Sequence, residues 1–198
     1  MFTGIVQAIG NISAIEDRGG DLRLRIDIDG LDLANLQLGD SIAVNGVCLT
    51  VVEFDDDSFV ADVSTETLSA TTLGGLEVTR PVNLERSLTL ANSLGGHLVS
   101  GHVDGVGQVV SLAPDARSTR IGFDVDPSLS RYIARKGSVT VDGTSLTVND
   151  VSAHGFSVNI VPHTLERTIM GQYRQGCRVN IEVDLVARYI ERLMAKPE

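Results

Sequence analysis

The chain repeats itself. Residues 1–86 slide by 97 positions onto residues 98–183 without a gap. Gly4 falls on Gly101, Val6 on Val103, Gly10 on Gly107, Arg23 on Arg120, Asp27 on Asp124 and Asp29 on Asp126. The run Ser41-Ile42-Ala43-Val44-Asn45-Gly46-Val47-Cys48-Leu49-Thr50-Val51 falls on Ser138-Val139-Thr140-Val141-Asp142-Gly143-Thr144-Ser145-Leu146-Thr147-Val148. Thr67-Leu68 meets Thr164-Leu165, and Val82-Asn83-x-Glu85 meets Val179-Asn180-x-Glu182. A period this long describes two whole domains rather than stacked solenoid units. A duplicated module in turn suggests paired ligands.

Each half is large enough to enclose a modest core. The boundaries drawn from the repeat are 1–97 for the first domain with its connector, 98–183 for the second, and 184–198 for a terminal segment outside the duplication. Residues 87–97 form the connector. A formal charge of −10 argues against a nucleic-acid surface, which needs clustered Lys and Arg. No apolar run approaches the ~20 residues needed to cross a bilayer, and Met1-Phe2-Thr3-Gly4 lacks the basic start of a secretory signal. The expectation is a soluble cytoplasmic protein, with no membrane and no nucleic-acid partner. Cys48 and Cys177 occupy non-equivalent repeat positions, which gives no support to a repeated disulfide or a zinc cluster.

Leu22-Arg23-Leu24-Arg25-Ile26-Asp27-Ile28-Asp29 alternates with period two and reads as a half-buried strand. Ile42–Val44, Leu49–Phe54, Phe59–Val63 and Val82–Glu85, with their counterparts in the second half, read the same way. Gly39-Asp40, Asn45-Gly46 and Asp55-Asp56-Asp57 supply turns. Short strands without crossover helices predict an all-β chain of antiparallel barrels. Leu31–Gln37 and Ser128–Arg135 carry apolar residues at helical spacing and predict one short helix per barrel. A C-terminal helix is clearer. Asp184 caps it, and Val186, Ile190, Leu193 and Met194 share one face that either packs on a barrel or joins chains.

Met1–Val6 and Leu98–Val103 are one element in two places. Their equivalent glycines admit a ligand or another strand close to the backbone, or simply close the barrel tightly. In a strand starting after Gly46, residues 48 and 50 share a face and Leu49 points away. Cys48 and Thr50, and likewise Ser145 and Thr147, thus present polar groups side by side. They serve either a site or local backbone hydrogen bonding. Asp27, Asp29, Asp124 and Asp126 lie opposite apolar residues, as on a solvated face. His97 and His102, an odd separation apart on an extended strand, point to opposite faces and make a poor metal pair.

With these motifs in order along nearly its whole length, the chain resembles riboflavin synthase, the family built from two lumazine-binding repeats. The carrying segments are Met1–Val6, Asn45–Val51, Gly96–Val103, Asp142–Val148 and Thr164–Thr168. The resemblance implies two similar six-stranded antiparallel β-barrels, a C-terminal helix, and a homotrimer whose active sites lie between subunits. The implied reaction joins two molecules of 6,7-dimethyl-8-ribityllumazine and yields riboflavin and 5-amino-6-(ribitylamino)uracil. It implies no metal and no redox cofactor. Association with lumazine synthase is compatible with the charge of −10, as is its absence.

The resemblance places substrate-binding positions at Gly4, Ile5 and Val6; at Cys48, Leu49 and Thr50; and along Asp62, Val63, Ser64, Thr65, Glu66 and Thr67. In the second half it places them at Gly101, His102 and Val103, at Ser145, Leu146 and Thr147, and along Asn159, Ile160, Val161, Pro162, His163 and Thr164. Lys136 is implied at the site of a neighbouring chain. At His163 the family more often carries Glu, so the implied contacts there are those of the backbone.

Two like rings held face to face convert an encounter into an intramolecular geometry, an effect worth roughly 7–11 kcal/mol of barrier. Donor and acceptor nevertheless play different roles, so the repeats should diverge where chemistry occurs. Ile5 becomes His102, Cys48 becomes Ser145, Asn45 becomes Asp142 and Val47 becomes Thr144. His102, with Thr147 beside it, is the expected base for the C7 methyl proton. Ser145 and Cys48 are expected to position or polarise the rings, with covalent attack by Cys48 the less favoured role. The chief rival is a non-catalytic lumazine- or flavin-binding antenna protein. A flavin oxidoreductase would need a nicotinamide domain, and no strand-linked Gly-x-Gly-x-x-Gly is present. A purely structural oligomerisation protein would leave the repeated motifs without a purpose.

Overall fold

In the computed structural model, which describes residues 1–195, the alternating segments close into two barrels. The first comprises β1 (Ala8–Arg18), β2 (Asp21–Asp27), β3 (Ser41–Val44), β4 (Val47–Phe54), β5 (Ser58–Val63) and β6 (Pro81–Arg86). The second comprises β7 (Gly105–Asp115), β8 (Ser118–Asp124), β9 (Ser138–Val141), β10 (Thr144–Ser152), β11 (Gly155–Ile160) and β12 (Arg178–Val183). Both have the same strand order, β1-β2-β5-β4-β3-β6 and β7-β8-β11-β10-β9-β12, with every pairing antiparallel. Closure removes sheet edges, and the inward residues of each strand fill the interior.

Ile12, Leu24, Ile26, Ile42, Phe59 and Leu84 form the centre of the first core. Ile121, Phe123, Val139, Val158 and Ile181 form that of the second, where Phe123 stacks on Phe156 at 5.2 Å. Each such fully buried side chain contributes roughly 1.5–3 kcal/mol of hydrophobic stabilisation.

Five strands per barrel coincide with the alternating runs. The sixth, β1, is hidden by a bulge between Ile12 and Ala14 that interrupts its alternation. β1 closes on β6, so the Met1–Val6 segment does not close the barrel and stands outside it. The expected helix at Leu31–Gln37 is instead a series of turns. Asp32 accepts a bond from the Ala34 N–H, and Asn35 adopts a left-handed φ of 64° that breaks any helix. In the second half only α2 (Pro127–Ser130), capped by Asp126, forms a single turn. Two short helices, α1 (Thr65–Ala70) and α3 (Pro162–Arg167), follow β5 and β11.

The terminal helix α4 (Leu185–Met194) begins where Asp184 accepts the Val186 N–H at 3.0 Å. Residues 196–198 of the expected terminal segment lie outside the described residues. Arg188 pairs with Asp104, and Glu191 approaches Arg131, so the polar side of α4 leans on the second barrel. Its apolar side does not: Tyr189 is 64% exposed and Leu193 84%.

The barrels meet about a local pseudo-twofold. The Asn45-Gly46 and Asp142-Gly143 hairpin turns, whose first residues have φ of 46° and 41°, touch back to back. A Cβ on Gly46 would come 2.7 Å from the Gly143 nitrogen, and the reverse holds equally. Asn83 donates to the Asp142 carbonyl and accepts from the Ile169 N–H; Asn180 donates to the Asn45 carbonyl and accepts from the Thr72 N–H. Every polar atom of these two buried amides that the seam presents is thereby matched across it.

Candidate functional site

Phe2 and Val99 pair as an antiparallel bridge, with reciprocal bonds of 2.8 and 3.1 Å, and both are buried with Ala43 against the half-buried Cys48. From this bridge the two lead segments diverge and cross. The Ser145 N–H on β10 donates to the Gly4 carbonyl at 2.7 Å, and the Cys48 N–H on β4 donates to the Gly101 carbonyl at 2.9 Å. Each half's lead segment therefore lies on the other half's barrel.

A buried carboxylate fixes each crossing. Glu85 on β6 accepts from the Thr3 N–H and hydroxyl, both at 2.7 Å, and from the Gly4 N–H at 3.0 Å. Glu182 on β12 repeats this with Ser100 and Gly101 at the same distances. Burial pushes the Glu85 carboxyl above its ordinary pKa, while these donors pull it down. Gly4 and Gly101 have φ of 75° and 79°, and a Cβ would lie 2.6 Å from the Ser145 Cβ or 2.7 Å from the Cys48 Cβ. Only glycine fits there.

The crossing sorts the candidate residues into two groups. On the first barrel stand Cys48 and Thr50, with Leu49 turned into the core, joined by Gly101, His102 and Val103; Val103 packs on that core and His102 is exposed. On the second stand Ser145 and Thr147, with Leu146 packed on the core, joined by Gly4, Ile5 and Val6. Within one chain His102 follows Gly101, whose carbonyl accepts the Cys48 N–H on the first barrel, while Thr147 stands on β10 of the second.

The flanking segments take matching places. Asp62 and Val63 end β5, Ser64 caps α1, and Thr65, Glu66 and Thr67 form its first turn. Asn159 and Ile160 end β11, Val161 precedes α3, and Pro162, His163 and Thr164 open it. Asp62 is held by the Arg23 guanidinium at 2.7 and 2.9 Å, and that pairing keeps its pKa low. It is a tethered anion rather than a proton acceptor. Lys136, exposed with φ 67°, ends the turn before β9, where its N–H donates to the Val148 carbonyl.

His97, considered above only as a metal ligand, instead packs against Ser145. Its Nδ1 lies 2.7 Å from the Ser145 Oγ and its Nε2 lies 3.3 Å from the Thr140 Oγ1. Burial lowers its pKa, which favours the neutral ring. A neutral imidazole between two hydroxyls orients Ser145. The first barrel offers no counterpart: Ala43 stands where Thr140 does, and His97 lies outside the duplicated unit.

The family description "Lumazine binding domain" matches residues 3–87 and 100–184. The chain is 50% identical to riboflavin synthase of Photobacterium phosphoreum across all of this chain and 92% of that protein. It is 39% identical to riboflavin synthase of Bacillus subtilis over 99% of this chain and 91% of that one. The chain belongs to the riboflavin synthase family. Among solved structures, LumP complexed with riboflavin superposes with a TM-score of 0.84 at 28% identity, covering 92% of this chain and 99% of LumP. LumP complexed with 6,7-dimethyl-8-(1'-D-ribityl) lumazine gives 0.82 at 26% identity over the same shares.

Within that family frame the two groups of side chains are unequal. One offers a thiol and an exposed imidazole; the other offers a serine hydroxyl oriented by a buried imidazole.

Proposed function

We propose that the chain transfers a four-carbon unit between two molecules of 6,7-dimethyl-8-ribityllumazine, giving riboflavin and 5-amino-6-(ribitylamino)uracil. The observation that carries this reading is the crossing of the lead segments. It builds two sites on one plan, as two identical substrates require, yet furnishes them differently, as donor and acceptor require. The exchange balances without an oxidant, because the carbons gained by one ring system are those lost by the other.

The first-barrel site comprises Gly101 to Val103, Cys48 to Thr50 and Asp62 to Thr67. The second comprises Gly4 to Val6, Ser145 to Thr147 and Asn159 to Thr164. His102, exposed on the first barrel, serves as the general base that removes a proton from the C7 methyl of the lumazine there. Cys48 and Thr50 position that ring. Ser145, held by His97, donates to the ring on the second barrel and makes it the better electrophile. Thr147 assists in orienting it, and Lys136 reaches the site of a neighbouring subunit.

The two sites lie on different barrels, so face-to-face stacking brings a first-barrel site of one subunit against a second-barrel site of another. The exposed apolar side of α4 supplies a contact for the corresponding homotrimer, which acts in the cytoplasm. Lumazine carrying ¹³C in its methyl groups tests the transfer. Label should appear in the carbocyclic ring of riboflavin and be absent from the pyrimidine product.

A ligand-holding role without turnover is the second reading, raised by the superposition on LumP complexes. Polar groups in both sites, and His97 on Ser145 in particular, favour the enzyme.

A further inference from the structure

A cleft of about 380 Å³ opens between the barrels, on a floor made by Asn45 and Asp142. None of the lumazine-site residues lines it. Its volume falls in the range of small-molecule sites. Its walls are related by the duplication but differ in chemistry. Where the first half contributes Leu76, Glu77 and Pro81, the second contributes Tyr173, Arg174 and Arg178, and Arg80 adds a third guanidinium from the first half.

Elsewhere on this acidic chain several arginines are matched: Arg23 with Asp62, Arg25 with Asp55, Arg120 with Asp150 and Arg188 with Asp104. Arg80, Arg174 and Arg178 form no ion pair among the described residues. Against these three guanidiniums the cleft has two carboxylates, Asp142 and Glu77, with Arg80 close enough to favour the charged form of Asp142. Asp142 is fully buried in the floor, where it accepts from the Tyr173 hydroxyl at 2.5 Å and the Asn180 N–H at 2.7 Å. Glu77 alone remains at the rim.

We propose that this cleft is a second binding site, distinct from the lumazine sites, for a small phosphorylated molecule. Guanidinium forks match phosphate oxygens two at a time, which point charges do not. Three of them facing one cleft concentrate positive potential on a chain that otherwise repels anions. A seam that served packing alone has no use for replacing Glu77 and Pro81 of one wall by arginines in the other.

Isothermal titration of the full chain with pyrophosphate and with ribose 5-phosphate tests the assignment, with citrate as a carboxylate of similar charge. Pyrophosphate should bind once per chain, without displacement by saturating riboflavin. It should also slow alkylation of Cys177, which lines the cleft, at least threefold while leaving Cys48 unprotected. The double variant Arg174→Glu, Arg178→Gln should weaken binding at least tenfold. Arg174→Lys with Arg178→Lys, which keeps the charge and loses the fork, should lie between it and the parent. Unchanged affinity in the first variant, an unprotected Cys177, or citrate bound as tightly as pyrophosphate would each overturn the proposal. Lumazine turnover, measured separately, stands or falls independently of these outcomes.

Discussion

The Gly4 carbonyl accepts the Ser145 N–H at 2.7 Å, so the first residues of the chain lie on the barrel formed by its second half. Gly101 and Cys48 stand in the same relation in the other direction. A Cβ added at either glycine strikes the other half's barrel, so its replacement should act first on that barrel.

Gly4→Ala forces a left-handed residue with its Cβ onto Ser145, and Gly101→Ala does the same to Cys48. The backbone term costs about 1–2 kcal/mol and overpacking about 1–3 kcal/mol more. Lumazine titration should show Gly4→Ala losing the second-barrel site and keeping the first, with Gly101→Ala showing the reverse. Loss of the site on the parent barrel in either variant would contradict the crossing.

His102 is exposed on the first barrel, so its removal should spare the fold. His102→Gln should lower kcat by about 10²–10⁴-fold, the usual range for a general base, with lumazine affinity nearly unchanged. Exchange of the C7 methyl protons with D₂O, followed by NMR, separates lost proton transfer from lost binding.

Burial pushes the Asp142 carboxyl from its ordinary 3.8 to about 7. A raised folded pKa means that the native state holds the proton more tightly than the unfolded chain does. The associated stability is complete below about pH 4 and is lost as pH rises through about 7, by at most about 1.4 kcal/mol per unit. Asp142→Asn introduces the residue that the first half has at Asn45, whose Oδ1 accepts the Asn83 N–H at 2.7 Å. Its thermal midpoint should fall less than that of the parent between pH 5 and 8. Superposable pH profiles would show that Asp142 ionises as in water.

Val186, Tyr189, Ile190, Leu193 and Met194 leave an apolar stripe of α4 uncovered. Leu193→Glu should shift the assembly from trimer toward monomer in light scattering. It should also reduce turnover while each chain still binds lumazine, because in the proposed arrangement each stacked pair is formed by two subunits that the variant no longer holds together. A monomeric parent would contradict this.

The barrels were legible because period-two alternation and a gapless 97-residue repeat are local, additive signals. Cys48 and Thr50 flanking an inward Leu49 follow from that alternation, and the structure has them so. β1 was obscured where its bulge at Ile12 and Ala14 breaks the alternation. Leu31–Gln37 had helical spacing, but Asn35 and the Asp32 turn override it. The crossing of the lead segments rests on contacts distant in sequence, such as Thr3 with Glu85 and Cys48 with Gly101, which no local pattern encodes. His97 precedes the second repeat and has no partner in the first, so comparing the halves could not expose it. The exchange of Asn45 for Asp142 was visible, whereas the burial that raises its pKa was not.

The central claim is tested most directly by incubating the purified chain, free of added cofactor, with 6,7-dimethyl-8-ribityllumazine and quantifying both products. The account predicts one riboflavin and one 5-amino-6-(ribitylamino)uracil for every two lumazines consumed. Lumazine bound at both barrels with neither product formed would contradict it.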